Sequence, residues 1–419
     1  MSNIILSSNE NSALLQTLNQ SESKVITSIY STKEIYSPSA TSWYTITPKT
    51  GSATDGQSQS WDLPKYGILQ QMVLSFEKKV SFTGDGTFTG AIPSGDPFNV
   101  IDRIEFLSSS RILCTLYSED MIAQLKDLAT DEYSTVSNFL DASATSDAAA
   151  GAKEVSKKYT LPIVFPFLTN KNTCPNLSFS EPCQLRIVYR NIGGFRTVAG
   201  TAPTLTTTID GVNLMLRYKM YSEADNAQLL ASNYESEQLN ILTARNYREN
   251  PVSFLAGASQ VVDHKFTMEL KNVDVVENFY FMIRGPTGAA EDADQNKLKV
   301  IKRIRLTASG QELCDLSADQ LLYMKVSENG FPVNSSYLAS GMNDPMSVNN
   351  VAKVQTGLWT WDKNVWTNGF SLREMNNVVA EVYCDVPANK KYTCYCEELT
   401  SCILSQSSNT GRNAISLAN

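Results

Sequence analysis

The chain has 419 residues, of which 42% are hydrophobic and 19% charged, and it carries a formal net charge of −8 with a sequence pI of about 5.0. An acidic chain without a basic tail is unsuited to neutralising phosphates, which argues against direct packaging of nucleic acid by this chain. Its apolar runs are all shorter than the roughly 20 residues of a membrane-spanning helix. The length suits two domains of about 200 residues rather than one ordinary core.

Side chains that usually carry catalysis are scarce. The single histidine, His264, would have to serve every Ser-His-Asp or Cys-His arrangement, and its alternating surroundings predict a surface position on a strand. Cys394, Cys396 and Cys402 lie close together, but the second pair of a typical zinc site is missing. No pair of carboxylates stands in an apolar setting. We therefore expect no catalytic, cofactor-binding or metal-binding residues and no enzymatic activity.

In chain order, a polar arm precedes a strand-rich first half. Residues 1–41 are rich in Ser, Asn and Thr and predict an N-terminal arm, and residues 1–20 lack a secretory signal, so we expect reduced cysteines. We place the first domain at 42–222, followed by a linker helix at 223–236. Strand patterns within this domain lie at 42–47, 68–82, 160–167, 184–190 and 212–221.

One stretch of the first domain occurs a second time. Residues 100–120 align without a gap on residues 300–320, and eight positions are identical at this offset of 200. In each copy, alternating apolar residues predict a strand, small polar residues predict a turn, and a second strand leads into a helix. Ser118 and Ser317 are suited to cap these helices. Two copies at such a long period indicate a duplicated domain and not a solenoid.

The second domain, at 237–405, replays the order of the first and precedes a C-terminal tail at 406–419. In each half a long polar excursion follows the repeated unit, at 127–158 and 327–357, and we expect both excursions to leave the core. Each half then has roughly eight short strands and little helix. This pattern predicts an all-β fold of two tandem eight-stranded jelly-roll β-sandwiches, with short helices in loops.

Three segments of the sequence resemble the double jelly-roll major capsid protein family, which includes the adenovirus hexon and proteins of nucleocytoplasmic large DNA viruses, virophages and polinton-like viruses. Residues 62–74, Asp-Leu-Pro-Lys-Tyr-Gly-Ile-Leu-Gln-Gln-Met-Val-Leu, are similar to a first-roll segment of that family. Residues 100–117 resemble the strand and turn that follow there. Residues 160–167, Thr-Leu-Pro-Ile-Val-Phe-Pro-Phe, resemble its Pro-Leu-Pro-Phe-Trp-Phe segment.

The resemblance implies a structural protein of the virion of a DNA virus. Three copies of two similar rolls would form a homotrimer with a pseudo-hexagonal outline, and these capsomers would tile an icosahedral capsid. The implied partners are other copies of the chain, penton and minor or cement proteins and, where the virus has one, an internal membrane beneath the shell. The resemblance implies no direct contact with nucleic acid.

Two other functions fit the strand patterns. A two-domain β-sandwich lectin or adhesin could use Trp359, Trp361 and Trp366 as a sugar-stacking platform, although their spacing also suits core packing. A glycoside-active enzyme on a jelly roll would need paired carboxylates facing one groove.

Overall fold

The computed structural model describes 20 segments of the chain. These are residues 40–64, 67–83, 88–92, 96–108, 111–121, 145–148, 153–165, 183–190, 192–194, 196–199, 204–224, 238–248, 261–270, 275–284, 301–321, 351–355, 370–371, 377–387, 392–406 and 415–417. Within these segments, no helix is both long enough and apolar enough to cross a membrane.

In addition to helical residues at 118–121 and 223–224, the described residues of the first half form twelve strands and one short helix. They are β1 (Ala40–Ile46), β2 (Thr50–Gly51), β3 (Ser58–Asp62), β4 (Ile68–Thr83), β5 (Phe88–Ala91), α1 (Pro97–Val100), β6 (Ile101–Ser108), β7 (Arg111–Tyr117), β8 (Thr145–Ala148), β9 (Lys153–Ile163), β10 (Cys183–Tyr189), β11 (Arg196–Ala199) and β12 (Thr204–Met220).

The second half contributes ten strands to the described part of the chain. They are β13 (Gln238–Arg248), β14 (Val261–Leu270), β15 (Val275–Arg284), β16 (Ile301–Ala308), β17 (Gln311–Ser317), β18 (Val351–Gln355), β19 (Phe370–Ser371), β20 (Val378–Pro387), β21 (Thr393–Gln406) and β22 (Ile415–Leu417).

The strand order of the two halves is the same. In the first half, sheet A1 has the order β1-β12-β4-β9 and sheet B1 the order β2-β3-β10-β6-β7. In the second half, sheet A2 has the order β13-β21-β15-β18 and sheet B2 the order β14-β20-β16-β17. The short strands β2, β5, β8, β11, β19 and β22 can be left out, and the eight remaining strands of each half numbered 1 to 8 in chain order. Each half then has the strand order 1-8-3-6 in its A sheet and 2-7-4-5 in its B sheet. This antiparallel arrangement is a jelly roll, so the predicted all-β fold of two tandem rolls is confirmed.

Each roll has its own hydrophobic core between its A and B sheets. Alternation places one face of every core strand inward, as on β10, whose residues are alternately buried and half-buried from Cys183 to Tyr189. Trp61, Phe76 and Phe106 are buried in the cluster of the first roll, and Phe266 and Phe281 in the separate cluster of the second. The two halves therefore meet through their outer surfaces and not through one continuous core.

The repeated unit occupies the same place in both rolls. Ile104 on β6 pairs with Leu116 on β7, and Ile304 on β16 pairs with Leu316 on β17. A β-bulge follows at the same position in each copy, directly after Phe106 or Leu306. The duplication read from the sequence is thus confirmed down to the strand register.

Both predicted excursions from the core end earlier than expected. Residues 145–148 form β8, and β9, which starts at Lys153, is the edge strand of sheet A1 and buries Val155. In the second roll, β18 pairs with β15 and buries Val354. The expectation that 127–158 and 327–357 leave the core is therefore wrong for residues 153–158 and 351–355, and residues 127–144, 149–152, 327–350 and 356–357 lie outside the described part of the chain.

The structure also corrects the predicted helix cap in the first copy. Helical residues follow the second strand of each copy, and the described ones are 118–121 and 318–321. Ser317 caps as predicted, since its hydroxyl accepts a hydrogen bond from the Gln320 backbone N–H (3.4 Å) and the Gln320 side chain accepts one from the Ser317 N–H (2.8 Å). In the first copy the Asp120 side chain accepts a hydrogen bond from the Tyr117 backbone N–H (2.7 Å). The Ser118 hydroxyl makes a different contact, which is described below.

Of the linker helix predicted at 223–236, the structure describes only residues 223 and 224, and both are helical. Residues 225–236 lie outside the described part of the chain. The C-terminal tail predicted at 406–419 contains β22, which pairs with β21. The domain boundaries themselves stay predictions.

Candidate assembly surfaces

The residues weighed for catalysis or metal binding are placed apart from one another. His264 lies on β14 as predicted but is half-buried, with its ring edge-on to the buried Phe266 at a centroid distance of 4.5 Å. Cys394 and Cys396 are both buried in the core of the second roll. Among the described residues, no group of three or more His, Cys, Asp or Glu side chains could hold a metal ion. Trp359, Trp361 and Trp366 lie outside the described segments.

The first roll contains a buried ion pair that acts within its own core. The Lys78 ammonium on β4 lies 2.8 Å from an Asp96 carboxylate oxygen, and both side chains are fully buried. Lys78 also donates to the Gly194 carbonyl (2.6 Å), and the Tyr159 hydroxyl donates to Asp96 (3.4 Å). Burial raises the pKa of Asp96, and the nearby Lys78 charge opposes that rise. This is a structural pair, since all of its partners belong to one roll.

A larger polar cluster joins the two rolls. Its centre is Glu119, in the helical turn after β7, which is 1% exposed. One Glu119 oxygen accepts hydrogen bonds from Arg190 of the first roll and from Arg284 at the end of β15 in the second, each at 2.9 Å. Arg284 also donates to the Asn99 side-chain oxygen, and both arginines contact the Ser118 hydroxyl. We call these five residues the Glu119 cluster.

Burial and charge act against each other in the Glu119 cluster. Burial lowers the pKa of Arg284, although the Glu119 carboxylate favours its charged form. Burial also opposes the charge of Arg190, but the Glu119 and Asp102 carboxylates outweigh it and raise the pKa of that residue. Guanidinium groups stay protonated in proteins. The buried Arg284 and the half-buried Arg190 therefore both depend on the Glu119 carboxylate, with Asp102 as a second partner of Arg190 at 3.1 Å.

Strand β15 is buried on both of its faces from residue 279 to residue 284. Phe279, Phe281 and Ile283 point into the core of the second roll. Tyr280, Met282 and Arg284 alternate with them and so face outward, yet they are only 5%, 1% and 2% exposed. Within the same junction β13, the edge strand of sheet A2, contacts β7, the edge strand of sheet B1. The β7 end of the first roll therefore lies against the outer face of sheet A2 at Arg284 and beside its edge strand β13.

Sequence reasoning missed the residues of this junction. Arg284 directly follows the apolar residues Phe-Tyr-Phe-Met-Ile. A charged residue at the end of such an apolar run is a sequence signal that could have indicated a buried charge. Glu119 aligns with Asp319 at the repeat offset, which marked an acidic position shared by both copies. Their pairing across 165 residues has no signature in a single sequence.

The fold is similar to that of viral proteins, although no protein-family model and no curated protein matches the chain. It is similar to a chain from the cryo-EM structure of the Sputnik virophage, with 10% identity, a TM-score of 0.59 and coverage of 100% of this chain and 94% of that one. The Faustovirus major capsid protein matches with 9% identity, a TM-score of 0.58 and coverage of 90% and 92%. PBCV-1 VP54 matches with 11% identity, a TM-score of 0.57 and coverage of 92% and 98%. At these identities the likeness shows the fold, a double jelly roll.

Proposed function

We propose that this chain is a major capsid protein, which assembles as homotrimeric, pseudo-hexagonal capsomers into the icosahedral shell of a virus. The observation that supports this function best is the pair of rolls with one strand order, joined by an outer sheet face of one roll on the strand edge of the other. Three such chains hold six similar rolls, so a threefold ring acquires a nearly sixfold outline. The double jelly rolls of the Faustovirus major capsid protein and PBCV-1 VP54 support the same function.

In this function the protein acts by assembly and not by catalysis. Its proposed location is the virion shell, with other copies of the chain as principal partners and penton and cement proteins as further ones. The net charge of −8 agrees with a shell that does not bind the genome directly.

Light scattering and negative-stain images of the purified protein test the proposal. We expect a particle of three chains of 46.2 kDa each, with a hexagonal outline in projection. A protein that stays monomeric at micromolar concentration across a range of salt, and forms no lattice, would overturn it.

A further inference from the structure

The side chains of Lys78 and Asp96 are in direct contact in the interior of the first roll. Both are fully buried, and the Lys78 nitrogen Nζ lies 2.8 Å from Asp96 Oδ1. On β4, Lys78 lies between Phe76 and Val80, which are both buried in the core of this roll. An amine and a carboxyl group are the two reactants that form an amide bond. The fold therefore holds two such groups within reach of each other and away from solvent.

The neighbouring groups fix the geometry of this contact. The Gly194 carbonyl accepts a hydrogen bond from Lys78 Nζ at 2.6 Å, and the Tyr159 hydroxyl donates one to Asp96 Oδ2 at 3.4 Å. The Asp96 carbonyl oxygen accepts a further bond from the Asn99 backbone N–H at 2.8 Å. An aspartate at the N-cap of a helix usually bonds to the helix through its side chain. The Asp96 side chain makes no such bond to α1 and is directed at Lys78 instead.

The environment favours the reactive, uncharged forms of the two groups. Burial raises the pKa of Asp96, although the Lys78 charge opposes this rise. Transfer of a proton from the ammonium to the carboxylate leaves a neutral amine, which is a nucleophile, and a neutral carboxylic acid, which it can attack. Burial also raises the pKa of Tyr159, so its hydroxyl stays protonated and remains a donor. Two reactants held in one geometry react as though they were highly concentrated.

We propose that Lys78 and Asp96 join in an isopeptide bond once the chain has folded. Nζ attacks the carboxyl carbon of Asp96, and the new N–C bond forms as the bond from that carbon to Oδ1 breaks. Oδ1 leaves as water, with the carboxyl proton and one proton from Nζ. Oδ2 becomes the amide oxygen, and the Tyr159 hydroxyl stabilises the negative charge that develops on it. The remaining N–H of the amide donates to the Gly194 carbonyl, and no oxidant or other co-reactant is consumed.

The bond cross-links the two sheets of one roll. Lys78 belongs to β4 in sheet A1, whereas Asp96 directly precedes α1, which leads into β6 of sheet B1. Because both residues belong to one roll of one chain, the bond forms whether or not the chain assembles. The proposal therefore goes beyond the proposed function and does not depend on it.

Mass spectrometry of the denatured full-length protein tests the proposal. We expect the wild-type chain to weigh one water molecule less than its sequence requires, and a proteolytic digest to contain a branched peptide that joins Lys78 to Asp96. Lys78→Met should have the full mass. The matched control is Lys79→Met, because Lys79 is partly exposed and pairs with Asp210 at 3.2 Å. This control should keep both the mass deficit and the branched peptide.

The variant Tyr159→Phe tests the role of the hydroxyl. It keeps the ring and removes the donor to Oδ2, so the bond should form about 100-fold more slowly, as on loss of one donor to a developing oxyanion. The mass of freshly synthesised protein, followed over time, measures the rate, and circular dichroism confirms that the variant is folded. An unchanged rate would overturn the role assigned to Tyr159.

Two results would overturn the isopeptide bond itself. A wild-type chain of full mass, with Lys78 and Asp96 in separate peptides, would identify the contact as an ion pair only. A mass deficit that persists in Lys78→Met would place the loss of water elsewhere in the chain. Neither result bears on the oligomeric state, by which the proposed function stands or falls.

Discussion

At the scale of single residues, the Glu119 cluster and the Lys78–Asp96 pair place ionisable groups in the protein interior, with Glu119, Arg284, Lys78 and Asp96 all buried. Neither site gains much from the mere presence of opposite charges, since removing ions from water costs about as much as their attraction returns. The consequence appears when one partner is removed, because the other then stays buried without compensation. Both sites therefore favour the arrangement of strands that brings the partners together.

The variant Glu119→Gln tests the cluster. It keeps the shape of the side chain and removes the charge that faces Arg190 and Arg284, so we expect the free energy of unfolding to fall by about 3–5 kcal/mol. Urea unfolding followed by circular dichroism measures the change. The matched control is Glu312→Gln, whose carboxylate pairs with Arg305 at 2.9 Å on the surface and should change stability by less than about 1 kcal/mol. Equal effects from both variants would contradict the assigned role.

The variant Lys78→Met tests the second site through its pH dependence. Burial already raises the pKa of Asp96, and loss of the ammonium removes the group that opposes this rise. A carboxyl group whose folded pKa is raised favours the folded state below its unfolded pKa of about 3.9, and this stability is lost as pH rises through the folded pKa. The variant should therefore be most destabilised near pH 7, and its deficit relative to wild type should narrow as pH falls toward 4. Thermal unfolding at several pH values measures this, and a deficit that widens on acidification would contradict it.

At the scale of strands and sheets, the repeat at an offset of 200 residues was the sequence feature that predicted most of the fold. Eight identities at one offset located the same hairpin in both halves, and the structure gives the two hairpins the same register and bulge. The ends of the excursions were misplaced for a physical reason. On β9 the residues Glu154, Ser156 and Lys158 are exposed, so a strand of sheet A1 resembles a polar loop in composition. The contact between Glu119 and Arg284 could not be predicted, since it depends on how two finished rolls pack.

Equivalence of the two cores predicts equal effects from equal substitutions. Ile104 and Ile304 are both fully buried opposite a leucine of the next strand, so Ile104→Ala and Ile304→Ala should each cost about 2–5 kcal/mol. Ile112→Ala, at a position 43% exposed, serves as the control and should stay within about 0.5 kcal/mol. Chemical denaturation measures all three. A large cost in one copy and none in the other would mean that the repeat conserves sequence without conserving its place in the core.

At the scale of the whole molecule, two separate cores share one buried junction. Their unfolding is coupled only as strongly as that junction holds, and Arg284 is the residue that links the second roll to Glu119 and Asn99. Loss of this link leaves each roll with its own core and its own stability.

Calorimetry of Arg284→Met tests the coupling. We expect the wild-type protein to unfold in one transition and the variant to show two, as the rolls melt independently. Arg305→Met, at a surface position, should keep the wild-type profile. An unchanged single transition in Arg284→Met would show that the rest of the junction couples the rolls without this residue.

The charges buried at the junction of the two rolls reflect how that junction forms. The two rolls of one chain are tethered, so their surfaces meet at a high effective concentration, and the cost of dehydrating Glu119 and two arginines is met once, while the chain folds. Separate chains must find each other in dilute solution and lose translational freedom when they do. In the proposed capsomer, fusion of two rolls into one polypeptide would thus relieve the contact between them of the demands of association. A contact within one chain can therefore accumulate buried charge, as the one between Glu119 and Arg284 does.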